Sequence, residues 1–191
     1  MTLANETTAT GVPYFLLQLV RSTILAVFAL VVAFTPNHSA QFGLVTFGAL
    51  LLVVSVSVAA LASVITPTPQ AKSLHWWHAI VGIVVGALAL ALNQAGIVFL
   101  LWAIVLWSVL TGAAELVAGW RMPRTHTLRR DWMIQGSMAL LLALAVLLQP
   151  ADSVAVVGFL GAWAVVQGVY GIIAGLSDRW SIRENQGVIR T

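Results

Sequence analysis

The chain has 191 residues, 60% of them hydrophobic and 8% charged, with nine Lys or Arg against six Asp or Glu, a net charge of +3 and a mean hydropathy of +0.98. A soluble domain runs at about 45–50% apolar and about 25% charged, so this composition excludes a water-soluble globular fold and points to an all-α integral membrane protein. Cysteine is absent, which excludes disulfides and thiolate metal sites and leaves the redox compartment open.

In chain order, a tail at 1–13 contains no Lys or Arg and so offers no positive n-region; the first apolar run is expected to stay as an anchor. Six apolar runs follow: Tyr14–Phe34, Phe42–Ile65, Trp76–Leu92, Gly96–Trp120, Trp132–Leu148 and Ser153–Leu176. About 20 residues cross the ~30 Å hydrocarbon core, so each predicts a transmembrane helix. Tryptophans flanking the third and fifth runs suit the headgroup region.

The runs pair into helical hairpins at 14–65, 76–120 and 132–176. A Pro-containing loop at 66–75 and a basic loop at 121–131 join them, and a tail occupies 177–191. In the first loop, Pro67 and Pro69 end the preceding helix by removing backbone donors.

The tight turns Thr35–Gln41, Asn93–Ala95 and Gln149–Asp152 contain no Lys or Arg, whereas the opposite side holds Lys72, Arg121, Arg124, Arg129, Arg130, Arg179, Arg183 and Arg190. The positive-inside rule then puts both termini in the cytoplasm and the three turns outside. Arg121, Arg124, Arg129 and Arg130 are candidate contacts for anionic lipid headgroups, each worth about 1 kcal/mol near the surface. A nucleic-acid partner is not expected, because no folded basic module or aromatic platform accompanies these charges.

The hairpins are copies of one another. Arg21, His78 and Gln135 follow at intervals of 57 residues, each near the start of an apolar run. The same ruler links Pro36, Asn93 and Pro150 at the turns, and the small residues Ala29, Gly86 and Ala143. In the outgoing helices Leu50, Trp107 and Trp163 correspond, with Ser55, Gly112 and Gly168 five residues further on. Small residues let helix backbones approach closely, the main route to packing in lipid. Gly82 with Gly86, Gly112, Gly168, and Gly171 with Gly175 are therefore expected on helix-packing faces, inside one bundle or between copies in a homo-oligomer.

The segment running from Trp107 through Gly112 and Glu115 to Arg121 resembles the outgoing helix of the HdeD-like acid-resistance membrane proteins. Arg21, placed 15 residues before Pro36, and Gln135-Gly136, placed 15 before Pro150, resemble the start and turn of that family's hairpin. The resemblance covers about Leu16 to Leu176. It implies six helices in a bacterial inner membrane and a link to acid or other stress tolerance. Ser22 and Ser55 stand where that family has glycine, and Asn93-Gln94 replaces its turn proline.

An ionised side chain at membrane depth costs about 2.5–3.5 kcal/mol and should have a partner or a water path. Arg21 lies 15 residues from its outer turn and Glu115 lies 19 from Gly96, about 22 and 28 Å along a helix. The two are thus expected to pair across the first and fourth helices. Arg21, His78, Gln135 and Glu115 form the expected intramembrane polar layer, near the cytoplasmic side. Protonating Glu115 would leave Arg21 unpaired, which makes the pair a candidate proton-responsive switch. His75 shares a helix face with His78, but a closed metal site needs about four ligands, so both are read as interface residues reaching water. No metal or other cofactor is expected.

A catalytic reading lacks its parts: no nucleophile–base–acid set and no phosphate-binding glycine loop is present. The expected function is therefore a non-enzymatic membrane protein of stress-tolerance or accessory type, associating with lipids, with itself or with another membrane protein. The alternative is a small-solute or proton transporter or channel. Against it, the repeats run parallel rather than inverted, and no helix has a mid-membrane Gly/Pro break.

Overall fold

The structure, a computed structural model, describes residues 15–65, 68–124 and 127–188. Six helices account for them: α1 (Phe15–Phe34), α2 (Ala40–Ile65), α3 (Pro69–Ala91), α4 (Gly96–Arg121), α5 (Thr127–Leu148) and α6 (Ser153–Val188). All six contain a stretch long and apolar enough to cross a membrane. The described residues contain no strand.

Helix bounds depart from the apolar runs at the basic end. The stretch at 66–75, read as a loop, is mostly helix: α3 begins at Pro69. Thr68 caps it, its side chain accepting from the Ala71 amide at 3.2 Å, and Pro69 occupies the first turn, where its missing N–H costs nothing. Pro69 therefore starts a helix rather than ending one; Pro67 lies outside the described residues. The stretch at 121–131 is likewise shortened, because α5 begins at Thr127 and carries Arg129 and Arg130. The segment 177–191, read as a tail, is helical as far as Val188. Hydropathy marks the part of a helix that lies in lipid; arginine and glutamate extend it readily beyond that boundary.

The most intimate helix pairs are α4 with α5, α1 with α6, and α2 with α3. Partners across the tight turns touch less extensively. α2 thus packs hardest against α3 and α4 against α5, and α6 against α1 closes a ring. Small residues explain the choice. A Cβ on Gly86 would lie 3.0 Å from the Gly48 carbonyl oxygen, and one on Gly48 would lie 2.9 Å from that of Gly86. Gly112 and Gly136 are reciprocal in the same way across α4 and α5, at 2.9 and 2.7 Å. On the closing pair, Gly168 would put a Cβ 3.0 Å from the Ala26 nitrogen. Gly82 backs onto the Ser55 side chain, Gly171 onto that of Ser22, and Gly175 onto Leu19. All six glycines named from the sequence therefore sit between helices of one chain.

The core along the bundle axis is apolar, with Leu44, Phe47, Leu100, Ile104, Val146, Val156, Val157 and Leu160 fully buried. Phe47, Trp107 and Trp163 form an edge-to-face chain, with ring centroids 5.7 and 5.2 Å apart and interplanar angles of 81° and 86°. A smaller cluster at the basic end joins Ile65, Ala71, Leu74, Met122, Leu128 and Trp132. Trp132, read as a headgroup anchor, is instead buried there, because α5 starts before it and turns it inward. Trp76, at the other such position, is half-exposed. At the second turn Gly96 has φ +83°, a conformation that disfavours any residue with a Cβ.

Candidate functional site

Arg21, His78 and Gln135, spaced 57 residues apart, fall on α1, α3 and α5. The ring then brings them to one place, against Glu115 of α4. Arg21 Nη1 donates to Gln135 Oε1 at 3.0 Å and to Glu115 Oε1 at 3.4 Å, and Nη2 reaches the same carboxylate oxygen at 3.4 Å. Glu115 is 3% exposed and the Arg21 side chain 13%. Desolvating a carboxylate to this degree is tolerable only with a cation against it.

His78 adds a third contact, its Nε2 lying 3.1 Å from the same Glu115 oxygen. That approach has an ion pair's distance without a hydrogen bond's alignment. The other ring nitrogen, Nδ1, faces the Leu74 carbonyl oxygen at 2.9 Å. A carbonyl only accepts, so Nδ1 carries the hydrogen. A neutral ring would then turn a lone pair on Nε2 toward the carboxylate. Only a second proton, on Nε2, makes the ring a cation and the approach an ion pair. One carboxylate oxygen thus gathers α1, α3 and α4.

Gln135 connects the cluster to α6, where Gln167 Nε2 donates to the Gln135 carbonyl oxygen at 3.3 Å. Beside it, Tyr170 donates to Asp131 Oδ1 at 2.7 Å, joining α6 to α5 a second time. Sequence reading passed over Gln167, Tyr170 and Asp131, although Gln167 stands four residues after Trp163 as Thr111 stands four after Trp107. It also placed His75 at the water interface, whereas His75 is 5% exposed. The cause is the early start of α3, which carries His75 into the bundle.

Two cavities flank the cluster. One, about 30 Å³, lies toward the bundle interior and is lined by Arg21, Ser55, His75, His78, Trp107 and Trp163 among aliphatic side chains. The other, about 10 Å³, lies toward the basic end, with Gln18, Glu115, Asp131 and Gln135 on its wall. Arg21, His75 and His78 belong to both linings.

Other charged and titratable side chains lie apart from this site. Arg121, Arg124 and Arg130 are exposed, and Arg129 is half-buried, with Nη1 3.5 Å from the Met122 carbonyl oxygen. His38 stands at the turn end against the Val32 carbonyl, and Asp152 caps α6 through the Ala155 amide at 2.9 Å. His126 lies outside the described residues. Within the site, His78 turns Nδ1 to the Leu74 carbonyl oxygen and leaves Nε2 against the Glu115 carboxylate.

A short repeat of unknown function (DUF308) matches residues 77–149, which cover most of α3, all of α4 and α5 and the turn between the first two. No curated protein and no solved structure matches the chain. Composition, six spanning helices and this repeat together describe an integral membrane protein.

Proposed function

We propose that this chain is a non-enzymatic membrane protein of stress-tolerance or accessory type, comparable to the HdeD-like proteins, in which the buried cluster is a proton-responsive latch. In this reading the chain lies in a bacterial inner membrane with its basic end and both termini in the cytoplasm. The arginines there would meet anionic headgroups. The three hairpins are units of one repeat, and the latch holds the ring they form.

The observation that carries the proposal is the meeting of Arg21 and His78 on one oxygen of Glu115. A carboxylate that Arg21 bonds from α1 and His78 faces from α3 fixes the register of those helices. When Glu115 takes up a proton, it loses its negative charge and leaves Arg21 facing His78 without compensation. The sign follows: the Arg21–Glu115 pair holds while Glu115 is ionised and loosens once acidification protonates it.

Glu115→Gln imitates the protonated state. Thermal melting of the purified protein across pH should show wild type losing stability on acidification while the variant starts lower and stays flat. Superimposable pH profiles would sink the latch. The physiological half is tested by acid survival of a strain carrying the variant, expected to fall at unchanged protein level.

The second reading, a proton or small-solute transporter or channel, draws on the two cavities that share Arg21, His75 and His78. Weighing against it, the other half of the axis is filled by Phe47, Leu44 and Ile104, all fully buried. Proteoliposomes enclosing a pH dye separate the two, since only the transporter gives a flux that Glu115→Gln abolishes.

A further inference from the structure

We infer that the larger cavity is a binding site for a small monovalent anion of about chloride size, held between Arg21 and Trp163. The inference does not depend on the latch; it concerns the opposite face of Arg21. Three observations meet at this cavity.

The first is its chemistry. The side chains that line it present a guanidinium, two indoles, two imidazoles and one hydroxyl, and no carboxylate or amide oxygen is among them. Glu115 and Gln135 belong only to the other cavity. Each cavity therefore meets a different side of the same arginine.

The second is an unanswered donor. Trp163 is 7% exposed, lines the cavity and has a buried indole Nε1 with no hydrogen-bond partner. An indole N–H can only donate, and buried donors are ordinarily satisfied. Arg21 contributes as well: its bonds to Glu115 and Gln135 engage Nη1 and Nη2, and a guanidinium has five N–H donors. Those bonds account for at most three, so at least two remain.

The third is size and surroundings. A cavity needs about 10–15 Å³ of this measure to hold one water. At about 30 Å³ the space suits a single halide, or two waters, and nothing of sugar or amino-acid size. The rest of its wall is Leu25, Leu50, Leu51, Val54 and Val58, which offers water no acceptor and few partners. A weakly hydrated anion needs only donors, and the Arg21 guanidinium on this wall supplies the positive charge.

The test is thermal melting of the detergent-purified protein at fixed ionic strength, with chloride or bromide replacing gluconate. Wild type should show a saturable rise in melting temperature with either halide. Trp163→Phe, which keeps an aromatic side chain but removes the indole N–H, should weaken the apparent halide affinity about tenfold, the loss of one hydrogen bond to a charge. Absence of saturation, or equal halide titrations for wild type and variant, overturns the proposal. Chloride-35 relaxation on the unaltered protein reads the site without any variant. Excess linewidth displaced by bromide is expected, and linewidth equal to that of empty micelles means that the cavity holds water only.

Discussion

The bundle has two unlike halves along its axis. Toward the tight turns the interior is wholly apolar, closed by Leu44, Phe47, Ile104, Val157 and Leu160 at 0% exposure. Toward the basic end the same six helices surround Arg21, His75, His78, Glu115, Gln135 and Gln167. Both halves share one helix-packing rule, with small residues at the α2/α3, α4/α5 and α6/α1 contacts. The difference lies in what each half tolerates. The apolar half is held by volume, so its order comes from shape. The polar half is held by charge balance, so its order depends on protonation and on every partner being present.

The strongest way to break this contrast is to remove one charge. Glu115→Leu leaves Arg21 buried without a counter-charge and should cost about 3–5 kcal/mol, whereas adding Arg21→Leu should return most of that loss. Unfolding in mixed micelles of increasing denaturing detergent measures both. If the double variant is as damaged as the single one, the polar half is not organised by this pair.

The apolar half is probed by volume. Phe47→Ala should cost about 3 kcal/mol through the cavity it opens beside Trp107, and this loss should not vary with pH. A pH-dependent cost would mean that the two halves are coupled through the aromatic chain.

The smallest effects sharpen what the halves share. Gly112→Ala puts a methyl 2.9 Å from the Gly136 carbonyl oxygen and 3.0 Å from Ala139 Cβ, so α4 and α5 must separate, at about 1–3 kcal/mol. At Gly158 a methyl meets nothing within 4 Å, and Gly158→Ala should stay within about 0.5 kcal/mol of wild type. Equal effects at the two sites in the same unfolding assay would refute close packing as the reason for Gly112.

Legibility from sequence divides along physical lines. Arg21, His78 and Gln135 stand out because a repeat is a linear property, and equal spacing gives equal depth. Glu115 stands out because rise per residue converts sequence separation into depth. His75 escapes the same reasoning: its depth depends on where α3 begins, and Thr68 and Pro69 set that start outside the apolar run. Gln167 and Tyr170 escape it because a single glutamine or tyrosine in a span has no signature until the neighbouring helix is known.

Composition and spacing alone determined a membrane protein with six apolar spans and few polar residues at depth. Those properties follow from chain length, hydropathy and periodicity, which need no knowledge of neighbours. Only the tertiary structure decided that α2 packs hardest on α3 and α4 on α5, that α6 closes on α1, and that Arg21 turns one side to Glu115 and another to a cavity under Trp163. Such choices depend on which small residues face each other across a gap of a few ångströms, and that is a property of pairs of helices rather than of any one of them.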